Sequence, residues 1–223
     1  PLSRLHNSAN SNRQRQNRHP EKMTFTNSTA EFEQILRASA FKKKGGDPIS
    51  QSDGINAALA LLRDLRKSKK SLYIIGNGGS AAVASHIVND FCNGADLKAI
   101  TFNEPSLLTC YGNDYGYEYI FSKRIENLAQ PGDLLIAVSS SGNSENIIRA
   151  VSSMHSRNGN VFTLSGFNKS NSLQTMGDLN CWVDSHSYGH VEIAHLFILH
   201  YLADTLKASP HFWETQKIPS DII

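Results

Sequence analysis

Residues 71–80 read Ser-Leu-Tyr-Ile-Ile-Gly-Asn-Gly-Gly-Ser, and this stretch decides the fold class. Its first half is a short apolar run, which predicts a buried strand. Its second half is a glycine-rich turn, and the alanine-rich residues 81–93 after it predict a helix. A strand that turns directly into a helix is the opening of a βαβ unit, so the sequence points to an α/β domain.

The same unit recurs along the chain. Residues 134–138 form a continuous apolar run, which is typical of a parallel strand covered on both faces. Further strands are predicted at residues 97–102, 160–165 and 180–183, and further helices at residues 105–111, 117–129, 145–156 and 191–206. Because strands alternate with helices, we predict a doubly wound, mainly parallel, flavodoxin-like sheet of five strands flanked by helices.

Two helices are predicted ahead of this sheet. Apolar residues recur at helical spacing between residues 27 and 43, and the glycines and proline of residues 45–48 end that helix. A second helix is predicted from residue 52 or 53 to residue 68. Two apolar leading helices would suit an interface between subunits, so we expect them to take part in oligomerisation.

The two ends of the chain differ in composition from the rest. Residues 1–22 are rich in Asn, Ser, Arg and Gln, and they lack the apolar surface that would offset their ordering entropy. We interpret them as a disordered tail or a non-native extension before Met23. The alternative interpretation of their arginines is an RNA-binding arm or a transit peptide. Residues 23–208 then form a single domain, and residues 209–223 are a short tail with no assigned function.

Length and composition exclude several classes of protein. A chain of 223 residues, 39% of them hydrophobic, is globular, with one domain as the default. Its formal net charge of +2 argues against a strongly basic nucleic-acid-binding protein. Apolar runs fall well short of the roughly 18 residues that span a bilayer, so we expect neither a transmembrane helix nor a membrane partner. Three scattered cysteines argue against a disulfide framework or a zinc finger, and they suit the reducing cytoplasm.

Two polar loops follow predicted strands and open predicted helices: Gly76–Ser80 and Ser139–Ser144. In open parallel sheets, ligands bind outside the carboxyl ends of the strands. A helix N-terminus offers free N–H groups and a partial positive charge, and the serines add neutral donors, so both loops suit a phosphate group. Neither loop contains the lysine of a nucleotide P-loop. Each loop alone could be an ordinary turn with a serine N-cap, but the two together favour a phosphate site for a small polyhydroxylated substrate.

A second set of residues combines histidines with carboxylates. His86 and Asp90 are four residues apart and share one helix face. Glu192 and His200 lie on the last predicted helix, about 12 Å apart along its axis. One metal ion cannot easily take both, so either that helix starts after Glu192 or the two serve different sites across an oligomer interface. The four together are an N₂O₂ donor set for zinc or another divalent metal. The alternatives are a surface ion pair and a histidine packed in the core.

These motifs resemble those of the phosphoheptose isomerases, a branch of the sugar isomerase (SIS) domain family, over about residues 28–207. The residues that carry the resemblance are Gly76–Ala82, His86, Asp90, Gly112–Gly116, Phe121–Arg124, Pro131–Leu135, Ser139–Ser144 and Val191–His200. The resemblance implies that sedoheptulose 7-phosphate is isomerised to D-glycero-D-manno-heptose 7-phosphate, the first step towards bacterial heptose. It also implies a homotetramer with active sites at subunit interfaces, often with a bound zinc ion.

The resemblance also assigns roles to individual residues. For an isomerisation through an enediol(ate), we assign Asp90 as the carboxylate base and His200 as its acid/base partner. The metal ligands would be His86, Asp90, Glu192 and His200. The substrate would contact Asn77, Gly78, Ser80, Asp114, Ser139, Ser140, Ser141, Ser144 and Glu192, with Asp114 on the sugar.

Two of these positions depart from the family pattern. Asp90 stands where the best-known members have Glu, so its carboxylate is one methylene shorter. Glu192 stands where they have Gln, which adds a negative charge and should tighten a divalent metal. Both residues keep oxygen donors, so we expect the metal site to survive. An acidic residue that those members carry three positions before Glu192 is Gly189 here, and we assign it no role.

Other functions share this fold. A non-catalytic protein of the kind that associates with a replication initiator would have the terminal histidine of the last helix replaced, whereas His200 is present here. A phosphosugar-sensing regulator is often fused to a DNA-binding domain, but residues 1–50 show no helix-turn-helix pattern. The third alternative is the same isomerase chemistry on a different sugar phosphate.

Overall fold

A computed structural model of the chain describes residues 24–208. The tails predicted at residues 1–22 and 209–223 lie outside the described residues. The strands are β1 (Ala40–Lys43), β2 (Pro48–Ile49), β3 (Ser71–Ile75), β4 (Lys98–Thr101), β5 (Leu134–Ser139), β6 (Asn160–Ser165) and β7 (Leu179–Trp182). The α-helices are α1 (Phe25–Arg37), α2 (Gln51–Lys67), α3 (Gly79–Asn93), α4 (Pro105–Tyr115), α5 (Ser122–Leu128), α6 (Glu145–Ser156) and α7 (Tyr188–Lys207).

All of these strands belong to one sheet, in the order β2-β1-β7-β6-β5-β3-β4. The strands from β3 to β7 pair in parallel, which confirms the predicted doubly wound α/β class. β1 and β2 add an antiparallel pair beyond β7. The predicted count of five strands is therefore wrong, because the sheet of the described chain has seven.

The first extra strand lies where the first helix was expected to continue. α1 ends at Arg37, whereas the apolar spacing predicted a helix to residue 43. Phe41 of β1 is buried and lies opposite Cys181 of β7, so β1 covers the edge of the sheet that β7 would otherwise expose. β2 has two residues and is too short to leave a periodic signal in the sequence.

The order of the parallel strands reverses between β3 and β5. From β3 the chain moves to β4 on one side, and from there it returns to build β5, β6 and β7 on the other side. Ile75 at the end of β3 lies beside Ala137 of β5, so the loops after these two strands leave the sheet at the same edge. A topological switch point of this kind forms a crevice in which open α/β sheets bind their ligands.

Helices cover both faces of the sheet and create two apolar cores. Leu72 and Ile136 point into the larger core, which is formed with α2, α3 and α7. Tyr73 and Leu135 alternate with them and point into the smaller core, which is formed with α5 and α6. The larger core fixes α3 and α7 side by side, and both of these helices carry predicted site residues.

Two predicted helices have different bounds in the structure. Residues 117–129 divide into a short 3-10 turn at Tyr117–Tyr119 and α5, instead of forming one helix. The last helix begins at Tyr188, so Glu192 and His200 lie on one continuous helix, and the alternative that it starts after Glu192 is wrong. Between residues 24 and 208, no helix has the length and apolar character that crossing a membrane would require.

Candidate active site

The two polar loops meet in one pocket at the switch point. This pocket has a volume of about 130 Å³. It is lined by Asn77, Ser80, Ser139, Ser140, Ser141, Ser144, Tyr188 and Glu192. The fold thus brings together six of the residues that the sequence predicted for phosphate binding, from loops that are about sixty residues apart in the chain.

Neither loop uses a serine as an ordinary helix cap. α3 begins after Gly78, which adopts a φ of +55° and has no side chain that could cap the helix. α6 begins after Ser144, whose hydroxyl makes no capping hydrogen bond to the helix and instead lies 3.4 Å from the hydroxyl of Ser139. The first N–H groups of α3 and α6 are therefore left without side-chain caps, and they can serve an anion.

Ser140 also lacks a partner within the described chain. Its side chain is only 4% exposed, and its Oγ atom makes no hydrogen bond there. Buried hydroxyl groups in folded proteins are nearly always satisfied, so an orphaned one in a pocket wall has a hydrogen bond to give to a bound molecule. A phosphate oxygen in the pocket would supply the acceptor.

Glu192 lies beside the first residue of α3. A Cβ atom added to Gly79 would overlap the Glu192 carboxylate, so the glycine at this position makes room for the acidic side chain. Glu192 is half-buried on α7 and is the one charged residue in a pocket wall of otherwise neutral groups. The structure therefore places it at the predicted substrate pocket.

The histidine–carboxylate cluster lies further along the seam between α3 and α7. His200 Nδ1 and Asp90 Oδ2 are 2.8 Å apart, and the rings of His200 and His86 meet edge to face with their centroids 5.1 Å apart. One ligand atom from each of the three residues lies within 4.8 Å of the others. Two imidazole nitrogens and a carboxylate oxygen suit zinc, and a catalytic zinc site has three protein ligands and one open position.

Glu192 does not join this cluster within the subunit. It precedes His200 on α7 by eight residues, about 12 Å along the helix axis. The structure thus brings together three of the four predicted metal ligands, and the assignment of Glu192 as the fourth stays a prediction.

Asp114 lies outside the pocket. It is exposed near the end of α4, where it accepts hydrogen bonds from the Cys110 thiol at 3.4 Å and the Asn113 amide at 2.9 Å. The hydrogen bond to Asp114 and its negative charge raise the pKa of the Cys110 thiol. The predicted contact of Asp114 with the sugar stays a prediction.

One further residue lines the pocket and two more contact its wall through Asn77, and none of the three was predicted. Tyr188 forms part of its wall and is 64% exposed. The hydroxyl of Tyr117 donates to Asn77 Oδ1 at 3.0 Å, and Asn146 forms an amide pair with the same Asn77. In the sequence, Asn146 follows the serine loop by two residues, but nothing in the local pattern indicates that it reaches across to the other loop.

Comparisons with known proteins show the family to which the chain belongs. The model of the SIS domain family matches residues 48–166. A phosphoheptose isomerase from Campylobacter concisus is 34% identical over 174 residues, which cover 75% of this chain and 91% of that protein. A phosphoheptose isomerase from Thiobacillus denitrificans is 35% identical over 158 residues, which cover 67% of this chain and 79% of that protein.

Solved structures show the same fold. The phosphoheptose isomerase of Neisseria gonorrhoeae superposes with a TM-score of 0.69 at 28% identity, over 82% of this chain and 93% of that one. A phosphoheptose isomerase of Francisella tularensis has a TM-score of 0.72 at 24% identity, over 83% of this chain and 95% of that one.

Proposed function

The chain belongs to the phosphoheptose isomerases of the SIS domain family, and we infer from this membership that it converts sedoheptulose 7-phosphate to D-glycero-D-manno-heptose 7-phosphate in bacterial heptose biosynthesis. It is an aldose–ketose isomerase. The observation that carries the proposal is the single pocket in which the two polar loops meet at the switch point of the sheet.

The pocket is proposed to hold the phosphate of the sugar. Its serine hydroxyls and the Asn77 amide are neutral donors, and the uncapped N-termini of α3 and α6 add N–H groups with partial positive charge. The orphaned hydroxyl of Ser140 would gain a partner. Recognition by fixed dipoles without lysine or arginine in the wall suits a substrate that must enter and leave at every turnover.

The chemistry is proposed to run at His200 and Asp90. Isomerisation of a ketose to an aldose moves one proton from C1 to C2 and one from O1 to O2, through an enediol(ate). Asp90 would take the carbon-bound proton, and His200 would exchange protons with the oxygens. The contact of His200 Nδ1 with Asp90 Oδ2 orients the imidazole and leaves Nε2 for the substrate.

We also propose that His86, Asp90 and His200 hold a divalent metal, zinc in the first instance. Their two nitrogens and one oxygen fit the ion, because the three donor atoms already lie close together. When bound, the ion would supply Lewis-acid polarisation of the substrate carbonyl. It would also restrict the proton chemistry of Asp90 and His200, because both residues would then be its ligands. Glu192 is retained as a fourth ligand, but for the metal site of a neighbouring subunit. Within its own subunit, Glu192 lies two helical turns away from the histidine–carboxylate cluster.

A homotetramer with active sites at its subunit interfaces completes the proposal. Gly79 and His86 are seven residues apart on α3, about 10 Å along the axis, so the phosphate pocket and the histidine cluster of one subunit are well separated. α7 exposes an apolar stripe of Ile193, Phe197 and Tyr201, beside a groove of about 500 Å³ between α1, α2 and α7. Apolar surface of this kind is typical of an interface, which agrees with the expected role of the leading helices.

We place the enzyme in the cytoplasm. Its three cysteines, Cys92, Cys110 and Cys181, are all free thiols in the structure. Free thiols without a disulfide suit a reducing compartment.

An assay of purified protein with sedoheptulose 7-phosphate tests the function, with and without added zinc. We expect turnover that falls at least about 100-fold in a His200→Ala variant, since an acid/base residue contributes roughly 10²- to 10⁴-fold. His155→Ala is the matched control, because it removes a histidine that also pairs with an aspartate but lies away from the site. Phosphosugar binding without turnover at any metal concentration would contradict the proposal and favour a binding protein or an isomerase for another sugar.

A further inference from the structure

Asn146 is a buried polar residue that touches the phosphate pocket only through a neighbour. It is the second residue of α6, 2% exposed, and it does not belong to the pocket wall. Its Nδ2 donates to Asn77 Oδ1 at 2.9 Å, and its Oδ1 accepts from Asn77 Nδ2 at 2.9 Å. This reciprocal amide pair joins the loop after β3 to the helix that follows the loop after β5.

The pair determines what Asn77 can offer to a ligand. Asn77 Oδ1 accepts from Asn146 and also from the Tyr117 hydroxyl at 3.0 Å, so its acceptor capacity is used. Its Nδ2 group donates one hydrogen to Asn146, and the described residues take no other hydrogen from it. Asn77 is therefore left with one N–H donor, which is the group that a phosphate oxygen requires.

Tyr117 adds a contact from outside the two loops. It opens the 3-10 turn between α4 and α5, and its side chain is 62% exposed apart from the bond to Asn77. An exposed tyrosine that reaches back to a pocket residue contributes little apolar burial. Its hydroxyl instead donates to the Asn77 oxygen, and this adds to the contacts that hold the amide with its N–H group free for an anion.

We propose that Asn146 is a positioning residue for phosphate binding, which together with the Tyr117 hydroxyl holds the Asn77 amide with its N–H towards the substrate. Asn146 would act entirely through Asn77 and would contact no substrate atom. The inference rests on the proposed phosphate site, and it names the residues that give one wall of that site its polarity.

A double-mutant cycle between Asn77→Ala and Asn146→Ala tests this. The readouts are the Kd of inorganic phosphate by calorimetry and, separately, KM and kcat for sedoheptulose 7-phosphate. We expect each single variant to raise Kd and KM about tenfold, the value of one hydrogen bond to a charged group. Asn146→Ala, which contacts no substrate atom, should leave kcat unchanged within about twofold. The double variant should bind phosphate no more weakly than Asn77→Ala alone, because both substitutions remove the same interaction with the anion.

Two results would overturn the proposal. One is an Asn146→Ala protein with unchanged Kd and KM, and the other is a double variant in which the two losses multiply. A merely structural role would lower the melting temperature without this coupling. Phosphate binding is measured without turnover. If the wild-type protein bound phosphate but were inactive, the proposed isomerase function would be contradicted, and the double-mutant cycle on phosphate binding could still be interpreted.

Tyr117→Phe keeps the test decisive if Asn146→Ala does not fold. It removes one exposed hydroxyl and leaves the ring in place, so folding is not at risk. We expect a rise of about threefold in Kd and KM, and unchanged values would overturn the proposal. Tyr115→Phe is the matched control. Tyr115 lies two residues before Tyr117 and stacks on Tyr111, and its hydroxyl makes no hydrogen bond to any residue from 24 to 208.

Discussion

Between residues 24 and 208, two histidine–aspartate pairs are alike in exposure and different in their surroundings. His200 and Asp90 lie 2.8 Å apart, with 36% and 33% of their side chains exposed. His155 and Asp178 lie 3.3 Å apart, with 31% and 23% exposed. Burial therefore does not separate the two pairs, and their difference lies in the other partners of each aspartate.

Asp178 is saturated with donors. Besides His155, its carboxylate accepts from the Lys44 ammonium at 2.9 Å and from the Val161 amide at 2.9 Å. Burial raises the pKa of the Asp178 carboxyl, but the hydrogen bonds from Lys44 and Val161 and the charge of His155 outweigh it, so the net shift is downward. A carboxylate held in this way links β6 to the turn after β1 and has no oxygen left for chemistry.

Asp90 has few partners by comparison. Among the described residues, its carboxylate is paired with His200 alone, and His86 is the other donor nearby. It lies within a helix, where no backbone N–H is free to bind it. The comparison indicates that a histidine–aspartate pair is available for proton transfer or metal binding when its carboxylate keeps unsatisfied oxygen atoms.

The largest expected effect comes from removing each carboxylate in turn. Asp90→Asn should lower kcat about 1,000-fold, because an amide can neither take the proton nor bind the metal as a carboxylate does. Its melting temperature should change little, since Asp90 has one partner at the surface. Asp178→Asn should leave kcat unchanged and reduce the free energy of unfolding by about 1–3 kcal/mol, through the loss of charge-assisted hydrogen bonds. Steady-state kinetics and urea unfolding of both variants measure these effects.

Each variant in that experiment is the control for the other. The proposed difference between the two pairs would be contradicted if Asp178→Asn lost as much activity as Asp90→Asn. It would also be contradicted if Asp90→Asn retained kcat within tenfold, because Asp90 would then be another structural ion pair.

A third histidine extends the comparison to full burial. His195 is on the same helix as His200 but is completely buried, and its Nε2 lies 3.1 Å from the Ser165 carbonyl oxygen. Burial lowers the pKa of His195 to about 4, although the bond to Ser165 opposes the shift. A folded pKa below the unfolded value of about 6.5 means that the unfolded chain takes up the proton first as the pH falls.

Stability should therefore fall between pH 6.5 and pH 4 because of His195. The contribution of neutral His195 to the free energy of unfolding is present in full above pH 6.5. A pKa shift of this size corresponds to about 3 kcal/mol of unfolding free energy lost by pH 4. Urea unfolding of the wild type and of His195→Gln at pH 7, 5 and 4 isolates it. The wild type's advantage in unfolding free energy should shrink by about this amount towards pH 4. An advantage that stays constant with pH would show that His195 does not stay neutral in the folded chain.

The sequence predicted the parallel part of the fold because its signals are local. Each of these signals can be recognised within ten residues of sequence. Examples are the apolar run at residues 71–75 and the loops that follow β3 and β5. β1 could not be predicted in this way, because residues 40–43 become a strand only by pairing with β7 at the far end of the chain. The position of a strand at a sheet edge depends on a long-range partner, and local periodicity does not report it.

The residues of the candidate site also differ in whether local sequence could predict their contacts. His86 and Asp90 could be paired from their spacing on one helix, and the serine loops from their positions after strands. The different neighbourhoods of Glu192 and His200 depend on how α7 lies against α3, so spacing alone left two alternatives open. Asn146 and Tyr117 reach Asn77 from distant segments, and no pattern near either residue signals the contact.

The smallest expected effect concerns Glu192, whose surroundings contrast with those of Asp90. Asp90 faces two histidines, whereas Glu192 lies among neutral donors beside the first residue of α3. A carboxylate there competes with an anion for the helix N-terminus and repels it. In metal-free protein, Glu192→Gln should therefore lower the Kd of inorganic phosphate about threefold, a modest change because solvent and salt screen the half-exposed charge.

Calorimetric titration at low and high salt measures this change. The gain should shrink as ionic strength rises, because screening weakens the repulsion that the substitution removes. Glu33→Gln is the control, since it neutralises a surface carboxylate that pairs with Arg37 away from the pocket. Weaker phosphate binding in Glu192→Gln would mean that the carboxylate acts as an acceptor for a ligand hydroxyl or for protonated phosphate. Glu192 would then resemble Asp178, a carboxylate whose oxygens have fixed partners.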